Sequence, residues 1–312
     1  MILTGTASGH NDLLDQLRDF LVNDVGWTEL DYSGVVSPGN DLEQVELHLR
    51  APGASAGNEY FLNILTESNV VSGAYGWRMR ASQAYDPSVS DQAQEGSSPM
   101  VYFNLWQNTI PFWFYASGRR VIVVAKCNVS YISMYAGLFL PFALPTEYTR
   151  PFFLAGNGFD LRAHDASRSS NSFIANPGDR CAYYLNFPAN AWNNVKNTQD
   201  TAEGFTVGDN SPATIWPHRT MTGSDTVPGR QDWNYNGMLF LRPNANGEQP
   251  AFLCHLISQA ESRMVGTLDG VYSIGGFGRT SEQEVTLAGS PFRVFQNIFR
   301  TTPRDFMAIE EV

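Results

Sequence analysis

"PFWFYASGRRVIVVAKCNVSYISMYAGLFLPF", residues 111–142, decides the fold. It is among the most apolar runs in a chain of 312 residues. A membrane-spanning helix needs about 20 apolar residues without charge. Here Arg119 and Arg120 interrupt the first half and Lys126 the second, and Pro111, Pro141 and Pro145 bracket the run. A spanning helix is therefore excluded. The run divides into two β-prone pieces, "IPFWFYA" and "RRVIVVAKC", joined at Ser117-Gly118. Glycine supplies the positive φ that a two-residue hairpin turn uses, so a hairpin is predicted. Val121, Ile122, Val123 and Val124 form a continuous β-branched run, the pattern of a strand buried on both faces. "VSYISMYAGLFLPF" fits either another strand or a short helix ending near Gly137. Arg119 and Arg120 fall where the chain turns back, and at least one is expected to reach solvent or a carboxylate on a partner.

Upstream, "SGHNDLLDQLRDFLVNDVGW" places Leu13, Leu14, Leu17, Phe20 and Leu21 at helical spacing, with Asp12, Asp15, Arg18 and Asp19 opposite. This predicts one amphipathic helix packed on a sheet, capped by Ser8 or Asn11 and ended by Gly26. Strands follow from Trp27. "VELHLR" alternates Val45, Leu47 and Leu49 with Glu46, His48 and Arg50. "EYFLNIL" (59–65) and "YGWRMRAS" (75–82) continue an antiparallel meander, the second with Trp77 and Met79 on one face.

Residues 83–99 are polar, with two prolines, and read as a long loop or a boundary between units at 1–95 and 96–312. A single domain is the alternative. Residues 155–235 are rich in Asn, Ser, Thr, Gly and Pro, which predicts long loops or short strands anchored by Trp192, Trp216 and Trp233. The end returns to strands. "GMLFLRP" (237–243) and "AFLCHLIS" (251–258) form an expected hairpin, and "GVYSIGGF", "EVTLAG", "PFRVFQNIFR" and "DFMAIEE" close the chain. The predicted fold is mainly β, with antiparallel sandwich-like sheets, one N-terminal amphipathic helix and long loops.

Composition narrows the function. The net charge is −11, and the densest basic spot, Arg119-Arg120 with Lys126, lies in the apolar run. Direct nucleic-acid binding through clustered cations is not expected, nor is docking on an anionic membrane. The three cysteines, Cys127, Cys181 and Cys254, form no CxxC pair, so reduced thiols are expected rather than a disulfide framework. "MILTGTASGHNDLL" has neither a basic nor an apolar leader segment, so no signal peptide is expected.

Several constellations suggest chemistry, and each has a plainer reading that we favour. "DLRAHD" brings Asp160, His164 and Asp165 close in sequence, as metal hydrolases do, but one His-Asp pair needs distant partners to hold an ion. No G-x-S-x-G elbow occurs. Cys254 and His255 are neighbours in a predicted strand, so their side chains point to opposite faces and do not form a dyad. "GGFG" (275–278) lacks the strand, turn and helix of a phosphate loop. Asp160, Asp200, Asp209, Asp225 and Asp232 beside Trp192, Trp216 and Trp233 would suit a sugar site if two carboxylates converged. No catalytic residue, cofactor or metal ligand is assigned.

Three stretches together carry a resemblance. "DLLDQLRDFLVNDVGWTEL" (12–30) resembles the opening helix of a family of tailed-bacteriophage virion proteins. "FWFYASGRRVIVVAKCNVSYISMYAGLFLPFALPTEY" (112–148) resembles its central block of aromatic strand, Gly-Arg-Arg turn and valine-rich strand. "GVYSIGGFG" (270–278) and "VTLAGSPFRVFQNIFRTTPRDFMAIEE" (285–311) resemble its closing strands. The resemblance covers about a third of the chain and leaves 155–235 unmatched. It implies a non-enzymatic structural subunit of the tail, baseplate or neck, assembled in the host cytoplasm into the virion. Such a subunit works by homo-oligomerisation and contacts with other virion proteins. Arg119, Arg120, Trp192, Trp216 and Trp233 are the expected interface residues, because aromatics and arginine are enriched at interfaces. The alternative is a carbohydrate-binding or carbohydrate-cleaving module for host adsorption, with glycan as partner.

Overall fold

The computed structural model describes residues 1–33, 44–55, 57–142, 150–158, 160–164, 173–174, 182–186, 191–195, 213–216, 251–258, 263–296 and 306–311. The chain opens with β1 (Ile2–Ala7) and α1 (His10–Asp19), which runs on as a π-helical turn over Phe20–Val25. β2 (Thr28–Tyr32), β3 (Glu46–Ala51), β4 (Tyr60–Asn69), β5 (Ala74–Ser82) and β6 (Val101–Leu105) follow. Next come β7 (Ile110–Ala116), β8 (Arg120–Cys127), β9 (Ser130–Leu138), β10 (Leu140–Pro141) and β11 (Phe152–Ala155). Then come β12 (Ala182–Asn186), β13 (Ala191–Asn194), β14 (Ala213–Trp216) and β15 (Ala251–Ser258). β16 (Arg263–Ile274), β17 (Glu284–Leu287), β18 (Ser290–Gln296) and β19 (Phe306–Glu310) complete the order.

These strands make three antiparallel sheets. The meander β2-β3-β4-β5-β6 forms one outer sheet. The central sheet runs β1-β7-β8-β9-β11-β12-β13. The second outer sheet runs β14-β15-β16-β19-β18-β17, with β10 paired to β16. Alternation along β7 and β8 sets the layering. Phe112, Phe114, Val121, Val123 and Ala125 share a core with Leu47, Leu49, Leu62, Ile64, Trp77 and Phe103 of the meander. Trp113, Tyr115, Ile122 and Val124 share a second core with Leu256, Val271, Phe295, Met307 and Ile309 of the other sheet. The continuous valine run is thus buried on both faces, because a sheet lies over each.

The helix buries Leu13, Leu14 and Leu17 in the first core. Each fully buried leucine contributes about 1.5–3 kcal/mol. Gly26 ends the helical segment in the left-handed conformation at φ 87°, as predicted. Its start differs from expectation. Gly9 is the N-cap, without a side-chain cap, and Asp12 reaches back to accept from the Ser8 N–H at 2.6 Å. β1 is a further strand, with no strong pattern of its own: its "ILTGTA" pairs with β7 from Ile2↔Tyr115 to Ala7↔Ile110.

Other expectations resolve. The ambiguous stretch after Cys127 is a strand, β9, entered by a tight turn with Asn128 at φ 58°. Residues 83–99 connect β5 to β6, which pair within one sheet, so a boundary at residue 95 would cut through that sheet. The loop is tied down. Ser98 accepts from the Ala81 N–H at 3.0 Å, and Gln94 donates to the Asp86 carbonyl at 2.8 Å. The 237–243 strand and its hairpin lie outside the described residues.

The hairpin at Ser117-Gly118 is present, but for a different reason. Ser117 N–H donates to the Arg120 carbonyl, so Gly118 and Arg119 are the central pair. Gly118 is not among the residues with positive φ. Its constraint is proximity. Its carbonyl accepts from the Gly53 N–H at 2.8 Å, and a Cβ there would sit 3.1 Å from Pro52 and 3.2 Å from the Gly53 carbonyl.

Candidate functional site

The Arg119-Arg120 turn is where the three sheets meet. Tyr60 of the meander donates its hydroxyl to the Arg119 carbonyl at 3.2 Å. Gly137 of β9 passes so close that a Cβ would lie 2.5 Å from the Arg119 carbonyl and Arg120. From the third sheet, Asp269 of β16 faces both cations, with Oδ2 at 3.8 Å from Arg119 Nε and 3.5 Å from Arg120 Nε. Neither guanidinium Nε has a hydrogen-bond partner, so the contact is Coulombic rather than a formed fork. The Arg120 side chain is 9% exposed and that of Arg119 36%. Arg119 thus reaches solvent, as expected of at least one of the pair, and the carboxylate that both face belongs to their own chain.

The far end of β8 carries a second link to the same outer sheet. Lys126 Nζ lies 2.8 Å from Glu282 Oε1, and the Tyr131 hydroxyl donates to the same oxygen at 2.5 Å. Glu282 holds φ 71°, a left-handed conformation that costs a non-glycine residue about 1–2 kcal/mol. Burial pushes the Glu282 carboxyl up, but hydrogen bonds from Lys126 and Tyr131 outweigh it and leave it below the usual carboxylate value. The same lysine lies 5.0 Å from the Tyr131 ring centroid. β8 is therefore fastened to the outer sheet at both ends.

A third polar cluster covers the outward face of the meander. Glu46 Oε1 accepts from His48 Nε2 at 2.9 Å and from Asn63 Nδ2 at 3.0 Å. The His48 ring packs against Tyr85 at 4.8 Å. Alongside, Arg80 faces Asp91 at 3.4 Å and Arg78 faces Glu67 at 2.8 Å. The depression between His48, Asn63, Arg80, Tyr85 and Gln94 has space for about one water molecule. These groups bind the 83–99 loop to the sheet.

Of the other expected interface residues, Trp192 is engaged within the fold. Its indole N–H donates to the Gly96 carbonyl at 2.8 Å, and its ring meets Phe152 edge-on at 5.6 Å. Trp216 lies on the edge strand β14, and its side chain lies outside the described residues. Trp233 lies outside them too, as do Asp165, Asp200, Asp209, Asp225, Asp232 and Cys181. Trp192 connects to the Arg119 turn through packed rings, Phe152 and then Tyr60 at 4.6 Å from Phe152.

The remaining candidates take plain roles. Asp160 pairs with Arg162 at 2.5 Å, and the His164 ring meets Trp106 at 5.1 Å. Among the described residues no group of three or more His, Cys, Asp or Glu side chains is placed to hold a metal ion. No described helix is long and apolar enough to cross a membrane. Cys127 and Cys254 are free and buried. Burial pushes the Cys254 thiol up to about 12 and the Cys127 thiol higher still, which leaves little thiolate for nucleophilic chemistry. His255 lies on the face of β15 opposite Cys254, as alternation requires. Sequence reasoning missed Asp269 and Glu282, the anchors of the two links. Asp269 lies within strand β16 and Glu282 in the turn before β17, and only the packing of distant sheets shows the partner of each. No family model matches the chain, and no curated protein matches it.

Proposed function

We propose that this chain is a non-enzymatic structural subunit of a tailed-phage virion, in the tail, baseplate or neck region. It acts through self-association and contacts with other virion proteins. The observation that carries the reading is how the charged side chains in the apolar run are used. Arg119, Arg120 and Lys126 fasten one sheet to another, and Arg18, Arg78, Arg80 and Arg293 likewise face carboxylates of their own chain. Chemistry spent on rigidity suits a component that bears load in an assembly. The resemblance of residues 12–30, 112–148, 270–278 and 285–311 supports the same class. The glycan-module alternative draws no support from Trp192, whose ring and N–H are both engaged.

Light scattering and negative-stain imaging of the purified chain, with pull-downs of virion proteins, test the reading. Ordered oligomers or specific capture of virion proteins are expected. A chain that stays monomeric and captures no virion component overturns it, and turnover of a host polysaccharide would replace it with the glycan-cleaving alternative.

A further inference from the structure

An open sheet edge is a template for pairing, and proteins blunt it with charge, proline, short length or a covering loop. Of the six edges, β13 and β14 are only four residues long, and three others are blunted as follows. β2 carries Glu29 and Asp31. β6 is covered by the 156–158 segment, where Tyr102 N–H donates to the Gly158 carbonyl at 2.9 Å and Asn157 N–H donates to the Tyr102 carbonyl at 3.0 Å. β17 is four residues long and includes Glu284. β1 has none of these devices. Its six residues, "ILTGTA", include no charge and no proline, and Ile2, Thr4, Gly5 and Thr6 are exposed.

The register identifies which backbone groups are free. Met1 and Ala116 exchange both bonds of an antiparallel pair, at 2.8 and 2.9 Å. Pairs alternate along such a ladder, so Leu3, Gly5 and Ala7 point their N–H and C=O at β7. Ile2, Thr4 and Thr6 then point theirs outward. Among the described residues, only the Thr6 carbonyl of these has a partner, the Gln16 side-chain amide at 3.2 Å, and a carbonyl accepts two bonds.

We propose that β1 is a self-pairing edge: two copies of this chain join antiparallel along β1, about a twofold axis at Thr4, and fuse their central sheets. This rests on the reading of the chain as a self-associating subunit. The free groups are symmetric about Thr4. Thr4 faces Thr4 of the second copy, and Ile2 faces Thr6, which forms about six main-chain bonds. Charge favours this contact over others. Copies with a net charge of −11 repel, yet residues 1–11 carry no acidic side chain, so the edges approach without setting acid against acid. Area sets the strength. Pairing of two short strands buries well under the roughly 1,200 Å² of a stable interface, so the contact is reversible alone and is made lasting by multiplicity in an assembly.

Thr4→Cys tests the register directly. Opposed Cα atoms at about 5.5 Å lie within disulfide range. Oxidation of Thr4→Cys is expected to give a covalent dimer, while Val71→Cys, on a fully exposed turn, is not. Thr4→Pro removes a donor that the internal ladder does not use, and should weaken the reversible dimer at least about tenfold with the melt unchanged. Should it misfold, Thr4→Lys sets two like charges face to face instead. Equal cross-linking by the two cysteine variants, or undiminished dimerisation of Thr4→Pro or Thr4→Lys, overturns the proposal. So does cross-linking of Thr4→Cys to a different virion protein. If oligomers or virion contacts persist through any of these results, the subunit reading stands while the self-pairing edge fails. A wild-type chain monomeric at about 0.1 mM that captures no virion protein ends both.

Discussion

Gly270 and Gly278 hold nearly the same backbone angle, φ 67° and 68°, in different surroundings. A Cβ on Gly270 would fall inside the Arg120 guanidinium, whereas Gly278 has open space around it. Gly278→Ala should therefore cost about 1 kcal/mol of left-handed strain, and Gly270→Ala about 1–3 kcal/mol more from overpacking. Denaturant midpoints of the two variants check this, and equal losses would refute it. Asp15 gives a pH-dependent case. Burial first, then the negative charges of Asp12 and Asp19, raise its carboxyl to about 6. An acid whose folded value is raised binds its proton more tightly in the folded state. Its favourable contribution is complete below the ordinary aspartate value near 4 and is lost as pH rises through 6. Asp15→Asn keeps an acceptor for the Tyr32 hydroxyl and removes the titration. It should stabilise the fold at pH 7 by about 1 kcal/mol, discounted for solvent screening, and leave it unchanged at pH 3. Thermal melts at the two pH values measure this. The sequence shows Asp12, Asp15 and Asp19 on one helical face, but not that Tyr32 and Arg18 close over Asp15.

At the scale of elements, β8 shows what two sheets ask of one strand. Its two links to the outer sheet differ in kind. Arg120 is enclosed and Arg119 half open, and both share Asp269. Arg120→Met should cost about 2 kcal/mol, since it removes an enclosed cation and strips the partly buried Asp269 carboxylate of its nearer partner, and Arg119→Met under 1 kcal/mol. Equal effects in chemical denaturation would mean that the pair is merely a solvated turn. The Lys126–Glu282–Tyr131 link depends on pH with the sign opposite to Asp15. The Glu282 carboxyl is depressed in the fold, so its contribution is present above the ordinary glutamate value and is lost as pH falls through its folded value. Protection of the β17 and β18 amides, with the intrinsic pH dependence of exchange divided out, should fall in wild type as pH drops through the depressed Glu282 value and stay level in Glu282→Gln. The hairpin, the meander and the helix were legible because each rests on a local signal: a β-branched run, alternation, a 3.6-residue period. β1 was not, because alternating Thr and Gly beside a helix start form a weak pattern, and its partner β7 lies about a hundred residues away.

For the molecule as a whole, β7, β8 and β9 belong to both cores at once. Loss of either outer layer exposes the central sheet, so the layers should unfold together. Calorimetry is expected to show one transition, lowered by Leu62→Ala in the first core and by Phe295→Ala in the second, at about 3–5 kcal/mol each. Phe295 packs on Trp113 and Tyr131 at 5.2 and 5.9 Å, so its removal leaves a cavity walled by rings too rigid to collapse. Two resolved transitions would mean that the sheets fold independently. The third layer was foreshadowed by the valine run, which demands cover on both faces. The identity of that cover was not, because strands separated by more than a hundred residues leave no mark in local periodicity.

The valine run also removes a safeguard. In a strand with one wet face, a slip by one residue drives apolar side chains into water, and that penalty fixes the alignment. Val121, Ile122, Val123 and Val124 find an apolar environment on either side, so burial alone scarcely distinguishes the correct alignment from its neighbour. The discrimination has to come from the strand's ends. Arg120 against Asp269 and Lys126 against Glu282 tolerate no shift, since one step would turn each cation toward the meander and away from its acid. The two ion pairs that look like minor contributors to stability thus act as the alignment marks of the central sheet.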